Sequence, residues 1–169
     1  MTSEDYSSIR ELAAPAELAE SLDIIRASFQ TVADQFGLTR ENCPGHTAFI
    51  TIDELEDMQT RGVRLFGLFS GTEQVGFIAV ECNEGGSFWI EKLAVLPSER
   101  HRGWGRKLVM HAIDHIRTKG GDTVCLGMID EHAVLKDWYK SLGFVEISIR
   151  KFAHLPFTVC MMERDLRAN

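Results

Sequence analysis

A chain of 169 residues with 18 Lys plus Arg against 25 Asp plus Glu carries a formal charge of −7, and 44% of it is hydrophobic. That length suits one domain, 1–169, with a core that needs no staples, and the composition excludes disordered, collagenous and disulfide-dense classes. The acidic total argues against general nucleic-acid binding, which requires surplus cationic charge. No stretch approaches the roughly 18 apolar residues of a membrane span. Met1 to Arg10 carries Glu4 and Asp5 in place of the basic flank and apolar run of a signal peptide, so no membrane partner and a cytoplasmic location are expected. Cys43, Cys82, Cys125 and Cys160 are 39, 43 and 35 residues apart, which leaves no CxxC pair and points to reduced thiols. His111 and His115 share a helix face but lack a third ligand, so no metal site is expected.

In chain order, Ser8 to Leu12 reads as a short strand before Pro15. Leu18, Leu22, Ile25, Phe29, Val32 and Phe36 recur at steps of three and four, a helix stopped by Gly37. Leu38 to Thr51 is an irregular connection, and Asp53 is placed to cap a short helix carrying Leu55 and Met58 and ended by Gly62. Val63–Ser70 and Val75–Cys82 are strand-like runs bridged by Gly71 to Gln74, and Phe88–Leu96 is a third. Gly105–Lys119 predicts an amphipathic helix, Thr123–Met128 a strand, and His132–Leu142 a helix. Two last strands, Phe144–Phe152 and Phe157–Arg164, flank a turn at His154 to Pro156. This alternation predicts an α/β (α+β layered) architecture with a mixed sheet and helices on its faces.

The segment Val95 to Leu108 joins a strand to a helix through R-x-x-G-x-G, at Arg100, Gly103 and Gly105. A helix start offers unpaired N–H groups and a positive dipole end, and glycines let a ligand approach the backbone, which suits a pyrophosphate. Arg100, Arg102, Arg106 and Lys107 put four cations and no acid into the stretch Arg100–Lys107 of an acidic chain. The string matches neither GxxxxGK[ST] nor G-x-G-x-x-G, because Leu108 stands where the last glycine would be. Taken alone it also fits a basic, solvated strand-to-helix turn.

The stretch from Glu91 to Phe144 resembles the Gcn5-related N-acetyltransferase (GNAT) superfamily. Val95, Pro97, Arg100, Gly103 and Gly105 match its acetyl-coenzyme A segment, and His132, Trp138, Tyr139, Gly143 and Phe144 follow in the order of its second motif. The resemblance implies a mostly antiparallel sheet whose fourth and fifth strands splay into a slot, here between Phe88–Leu96 and Thr123–Met128. It implies acetyl-CoA as co-substrate and an amine acceptor as second partner. Backbone groups at Leu93, Ala94 and Val95 would then meet pantetheine. Those of Arg100, His101, Arg102, Gly103, Trp104, Gly105 and Arg106 would hold the pyrophosphate.

The resemblance also places the Tyr139 hydroxyl beside the coenzyme sulfur, as proton donor to the leaving thiolate; packing on Trp138 and Phe144 is the plain alternative. Glu91 is the candidate proton acceptor. Strand alternation would put it on one face with Leu93 and Val95, although an ion pair with Lys92 or Arg100 would also account for it. His132 stands where many relatives have Asn, so its coenzyme contact is altered or lost, and Gly127 replaces a Glu found in some amino-terminal peptide acetyltransferases. Relatives build the acceptor site from segments equivalent to Leu38–Thr51 and Ala153–Phe157, which makes Asn42, His46 and His154 the polar candidates. The expected activity is acetyl transfer to a primary amine of a small molecule or peptide. A non-catalytic acyl-CoA sensor on the same fold and an enzyme for longer acyl chains are the rival readings. A homodimer is compatible with the chain but written in no residue pattern.

Overall fold

The computed structural model describes residues 6–167, so Glu4 and Asp5 lie outside the described residues. The chain runs β1 (Ser7–Glu11), α1 (Pro15–Phe36), α2 (Ile52–Thr60), β2 (Arg64–Ser70), β3 (Glu73–Cys82), β4 (Phe88–Val95), α3 (Trp104–Thr118), β5 (Thr123–Ile129), α4 (Ala133–Ser141), β6 (Val145–Lys151) and β7 (Thr158–Asp165). Every anticipated element is present. The strands form one sheet in the order β1-β2-β3-β4-β5-β7-β6, antiparallel except where β4 meets β5. That parallel pair is brief, with Phe88 opposite Val124 and Trp89 opposite Cys125, after which the two strands part. The parting opens the anticipated slot.

Both faces of the central strands are buried, which is why β2 and β3 read as continuous apolar runs instead of alternating ones. On one face Leu65, Phe77, Ala79 and Ala94 pack with Leu18, Leu22 and Ile25 of α1 and Leu55 and Met58 of α2. On the other, Phe66, Ile78, Val80 and Ile90 pack with Leu108, Val109, Ile113 and Ile116 of α3 and with Tyr139 of α4. A third cluster joins Ala33, Leu38, Cys43 and Ala48 to Ile129, and Leu155 and Phe157 pack onto it. It brings the long connection after α1 against the β6–β7 turn.

Three local expectations change. The cap of α2 is Thr51, not Asp53: Thr51 Oγ1 accepts from Glu54 N, and the Glu54 carboxylate accepts from Thr51 N, a reciprocal capping box. Gln74, assigned to the β2–β3 turn, lies inside β3 and is only 4% exposed. The buried stripe of α1 is partly polar, because Ser21 and Ser28 face the sheet beside Leu22 and Ile25. Ser21 shares hydrogen bonds with Gln74 at 2.8 and 3.1 Å, so neither buried group is left unpaired. Among the described residues no helix is long and apolar enough to cross a membrane.

Gly121 follows α3 where a Cβ would stand 2.4 Å from Ile116 Cγ2 and 2.8 Å from the Phe88 ring. Gly121→Ala therefore overpacks the start of the β4–β5 junction. We expect it to lower unfolding free energy by about 1–3 kcal/mol, read as a reduced urea midpoint.

Candidate active site

The connection from β4 to α3 is built around backbone groups. His101 and Gly103 adopt left-handed conformations, φ 64° and 82°. Lys107 N is the first amide to close back, onto Gly103 O at 3.1 Å. The N–H groups of Trp104, Gly105 and Arg106 consequently have no intrahelical acceptor. A run of amides at a left-handed turn and a helix start forms a concave anion site. Gly103 supplies the backbone freedom; a Cβ there would meet nothing within 4 Å, so only its φ demands glycine. Gly105 is small for another reason: its Cβ would stand 3.2 Å from the Trp138 ring.

The cations divide. Arg100 turns its guanidinium back into α1, where Nη2 donates to Ser28 O (3.0 Å), Ser28 Oγ (3.3 Å) and Thr31 Oγ1 (3.1 Å). Of the four cations in this stretch, Arg100 thus turns away from the loop: its side chain is a clamp, and burial pulls its pKa down. Arg102 pairs with Glu99 at 3.4 Å. Lys107 lies 5.4 Å from the centre of the Trp104 ring and touches Ser7 Oγ. Arg102, Arg106 and Lys107 line a cavity of about 590 Å³ beside the start of α3. Trp104 also lines it, and its buried Nε1 has no hydrogen-bond partner.

Along β4 the strand period is broken. Ala79 faces Glu91 and Phe77 faces Ala94, so Lys92 and Leu93 together oppose the single residue Ile78. Lys92 takes up the extra length with φ 53°. This bulge overturns the expected face. Leu93 and Val95 pack on the α3 side, whereas Glu91, paired with Ala79, points to the α1/α2 side with Ala94. Val95 N–H is aimed away from β3 and donates to Ser28 Oγ at 3.3 Å.

Glu91 lines a second cavity, about 390 Å³, with His46, Ile50, Met58, Arg61 and Lys92. Burial first, and then the neighbouring Glu81 carboxylate, push its pKa up against the opposing pull of Lys92 and Arg61. His46 is the one acceptor candidate that reaches this cavity. Its Nδ1 accepts from Ala48 N at 3.2 Å, and burial keeps the ring neutral to lower pH. Asn42 does not reach it: its Oδ1 accepts from Thr39 N (2.8 Å) and its Nδ2 donates to Gly37 O (2.9 Å), completing a turn. His154 is exposed and stands against Phe152 in the β6–β7 turn. Sequence reasoning named Lys92 as a possible partner of Glu91 but passed over Arg61 and Glu81, because only the β3–β4 register gathers them around Glu91.

Tyr139 is 7% exposed, edge-on to Trp138 and Phe144 at 5.0 and 5.7 Å between ring centres. Burial alone raises its pKa, well above the ordinary phenol range, so it holds its proton at neutral pH. His132 caps α4, its Nδ1 accepting from Leu135 N at 3.3 Å, and its ring leans on Phe36. Lys136 ties α4 to Asp130 and Glu146. Its ammonium stands among Asp130, Glu146 and Cys160, whose ligand atoms lie within 4.8 Å of one another. The four cysteines are free. His111 and His115 both pack edge-on to Phe66.

Burial lowers the pKa of His46, His111, His115 and His132 below 6.5. The folded state therefore binds fewer protons than the unfolded one, and the stability held by neutral rings is complete above pH 6.5 and lost as pH falls through the lowered values. We expect the urea midpoint to be level from pH 8 to 7 and to drop toward pH 5. His132→Asn, which keeps a cap without a titrating ring, should flatten part of that drop.

Comparison with known proteins agrees with this geometry. Residues 61–146 match the acetyltransferase (GNAT) domain family. The [ribosomal protein bS18]-alanine N-acetyltransferase of Salmonella typhimurium is 41% identical over 59 residues, 35% of this chain and 40% of that protein. The match thus spans less than half the length of that curated relative. The crystal structure of the ribosomal-protein-S18-alanine N-acetyltransferase from Escherichia coli superposes with a TM-score of 0.75 at 20% identity, covering 95% of this chain and 94% of that one. The PaiA N-acetyltransferase from Thermoplasma acidophilum, solved with coenzyme A, gives 0.71 at 18% identity over 94% and 98% of the two chains. With the family match spanning half of its residues and the fold shared along nearly its whole length, the chain belongs to the acetyltransferase (GNAT) domain family.

Proposed function

We propose that this chain, acting as one domain, is an acetyl-CoA-dependent N-acetyltransferase that moves the acetyl group to a primary amine of a small molecule or peptide by direct transfer. The observation that carries the reading is the parting of β4 and β5 beside a run of unpaired amides at the start of α3, with Tyr139 packed against the same face. The thioester arm fits the slot as an added strand, its pyrophosphate meeting the amides of His101 to Arg106. Coenzyme A bound to the Thermoplasma relative supports the choice of co-substrate.

An alkylammonium acceptor with a pKa near 10.4 is only roughly 0.04% free amine at pH 7. Glu91 takes that proton, and the amine lone pair forms the N–C bond at the thioester carbonyl. The C–S bond then breaks with its electron pair on sulfur. Tyr139 donates a proton to the thiolate and recovers one from solvent, which receives the proton lost by the amide nitrogen. Ammonium and thioester thus become amide, thiol and one released proton. The cavity beside Glu91 receives the acceptor, with His46 in its wall. A peptide amino terminus is one member of this acceptor class, in line with the name of the Salmonella relative.

Thiol release from acetyl-CoA with a panel of amines, including a polyamine, an aminosugar and an alanyl-terminated peptide, tests the reading. Amine-dependent release supports it. Acetyl-CoA binding in a thermal-shift assay with no release by any amine would favour the sensor instead. Tyr139→Phe should slow release by about 10²–10⁴-fold, the usual contribution of a positioned acid, while calorimetric affinity for acetyl-CoA stays within a few-fold. Gly103→Val, forced into a left-handed backbone, should cost about 1–3 kcal/mol of strain and abolish coenzyme binding by calorimetry.

A further inference from the structure

Glu91 is accompanied by a second carboxylate that the transfer scheme does not use. Glu81 on β3 lies opposite Trp89, and Ala79 lies opposite Glu91. In an antiparallel pair this register sets Glu81 and Glu91 on one face as diagonal neighbours, within reach for long side chains. The nearby Glu81 carboxylate adds to burial in pushing the Glu91 pKa up. Behind them, Arg61 at the end of α2 donates through Nη1 to Glu81 (3.0 Å) and through Nε to Asp57 (2.9 Å), so one guanidinium is fixed from two sides. We propose that Glu81 is a positioning residue for the transfer: clamped by Arg61 and set diagonally to Glu91 across β3 and β4, it makes the two carboxylates a single proton-accepting unit facing the acceptor cavity.

The physical basis is the mutual repulsion of adjacent carboxylates. Two such groups resist double ionisation and share a proton, so the pair accepts a proton from an incoming ammonium more readily than a lone, solvated carboxylate. The clamp limits the effect, because Arg61 offsets part of the negative charge and holds Glu81 at a set distance. Other charges face the pair. Lys92 is the next residue on β4, and Asp53, Glu54 and Asp57 of α2 and His46 of the connecting segment line the same cavity. Glu54 is engaged in the α2 cap, Asp57 is paired with Arg61, and His46 is neutral at pH 7, so Arg61 and Lys92 are the cations that oppose the pair, with the Asp53 carboxylate on the same cavity wall. After each transfer the proton leaves Glu91 for solvent through the cavity mouth.

This inference rests on Glu91 being the proton acceptor of the proposed reaction, and two measurements separate the ideas. Carboxyl carbons of ¹³C-labelled glutamate in the full chain are titrated by NMR, with Glu91→Gln identifying the resonance. The acid limb of kcat/KM is recorded with whichever amine of the panel is acetylated. Glu81→Gln should move both midpoints down by about one pH unit, whereas Arg61→Met, which uncovers the pair, should move both up. A merely structural role would not give opposite directions. If Glu91→Gln abolishes the acid limb but Glu81→Gln leaves it in place, this inference is overturned and the reading of Glu91 stands. If the limb persists in Glu91→Gln, both fall.

Discussion

One extra residue in β4 decides which faces of the sheet the side chains around it occupy. Because Lys92 and Leu93 share the space opposite Ile78, Glu91 and Ala94, three residues apart, share one face of the sheet, and Leu93 and Val95 take the other. Glu91 therefore looks toward α2 and its cavity, while Leu93 and Val95 look toward α3. The left-handed backbone at Lys92 costs on the order of 1–3 kcal/mol, and the pairing of β3 with β4 on both sides of the bulge holds it in place. Unbroken alternation from Glu91 to Val95 would instead have put Glu91 on one face with Leu93 and Val95.

The same strand edge is braced from α1. Ser28, buried in the sheet-facing stripe, accepts from Val95 N–H and from the Arg100 guanidinium, which also reaches Thr31. This junction fixes the exit of β4 relative to the start of α3. It explains why an arginine heads the R-x-x-G-x-G string without presenting its charge to a phosphate. The positive potential at the start of α3 then comes from backbone amides, the helix dipole, and Arg102, Arg106 and Lys107. Amides held by the fold cost no reorganisation when an anion arrives, whereas exposed cations act over the distance of a screened field.

Much of the fold was legible because it depends on period and punctuation. The apolar spacing from Leu18 to Phe36, the glycines at 37, 62 and 71, and the apolar runs of β2, β3 and β5 are local signals, and each marks an element in the structure. Gly103, Gly105 and Tyr139 were singled out by resemblance, since spacing alone could not separate a basic turn from a ligand site. What failed to show were positions governed by partners far away in sequence. The role of Ser21 depends on Gln74, that of Arg100 on Ser28, and that of Glu91 on Ala79 and Glu81.

By itself, the amino-acid sequence determined the order and kind of the elements, the helix start loaded with glycine and cations, and the family to which that motif belongs. These follow from side-chain period and from residue types that act on their own backbone. Only the tertiary structure decided which face Glu91 occupies, that Arg100 is a clamp, that His132 is a helix cap, and that Arg61 and Glu81 gather at one cavity. A bulge shifts strand register by one residue and so reverses every face assignment beyond it. Nothing in the local sequence of β4 announces that shift, because it is fixed by how the strand pairs with β3.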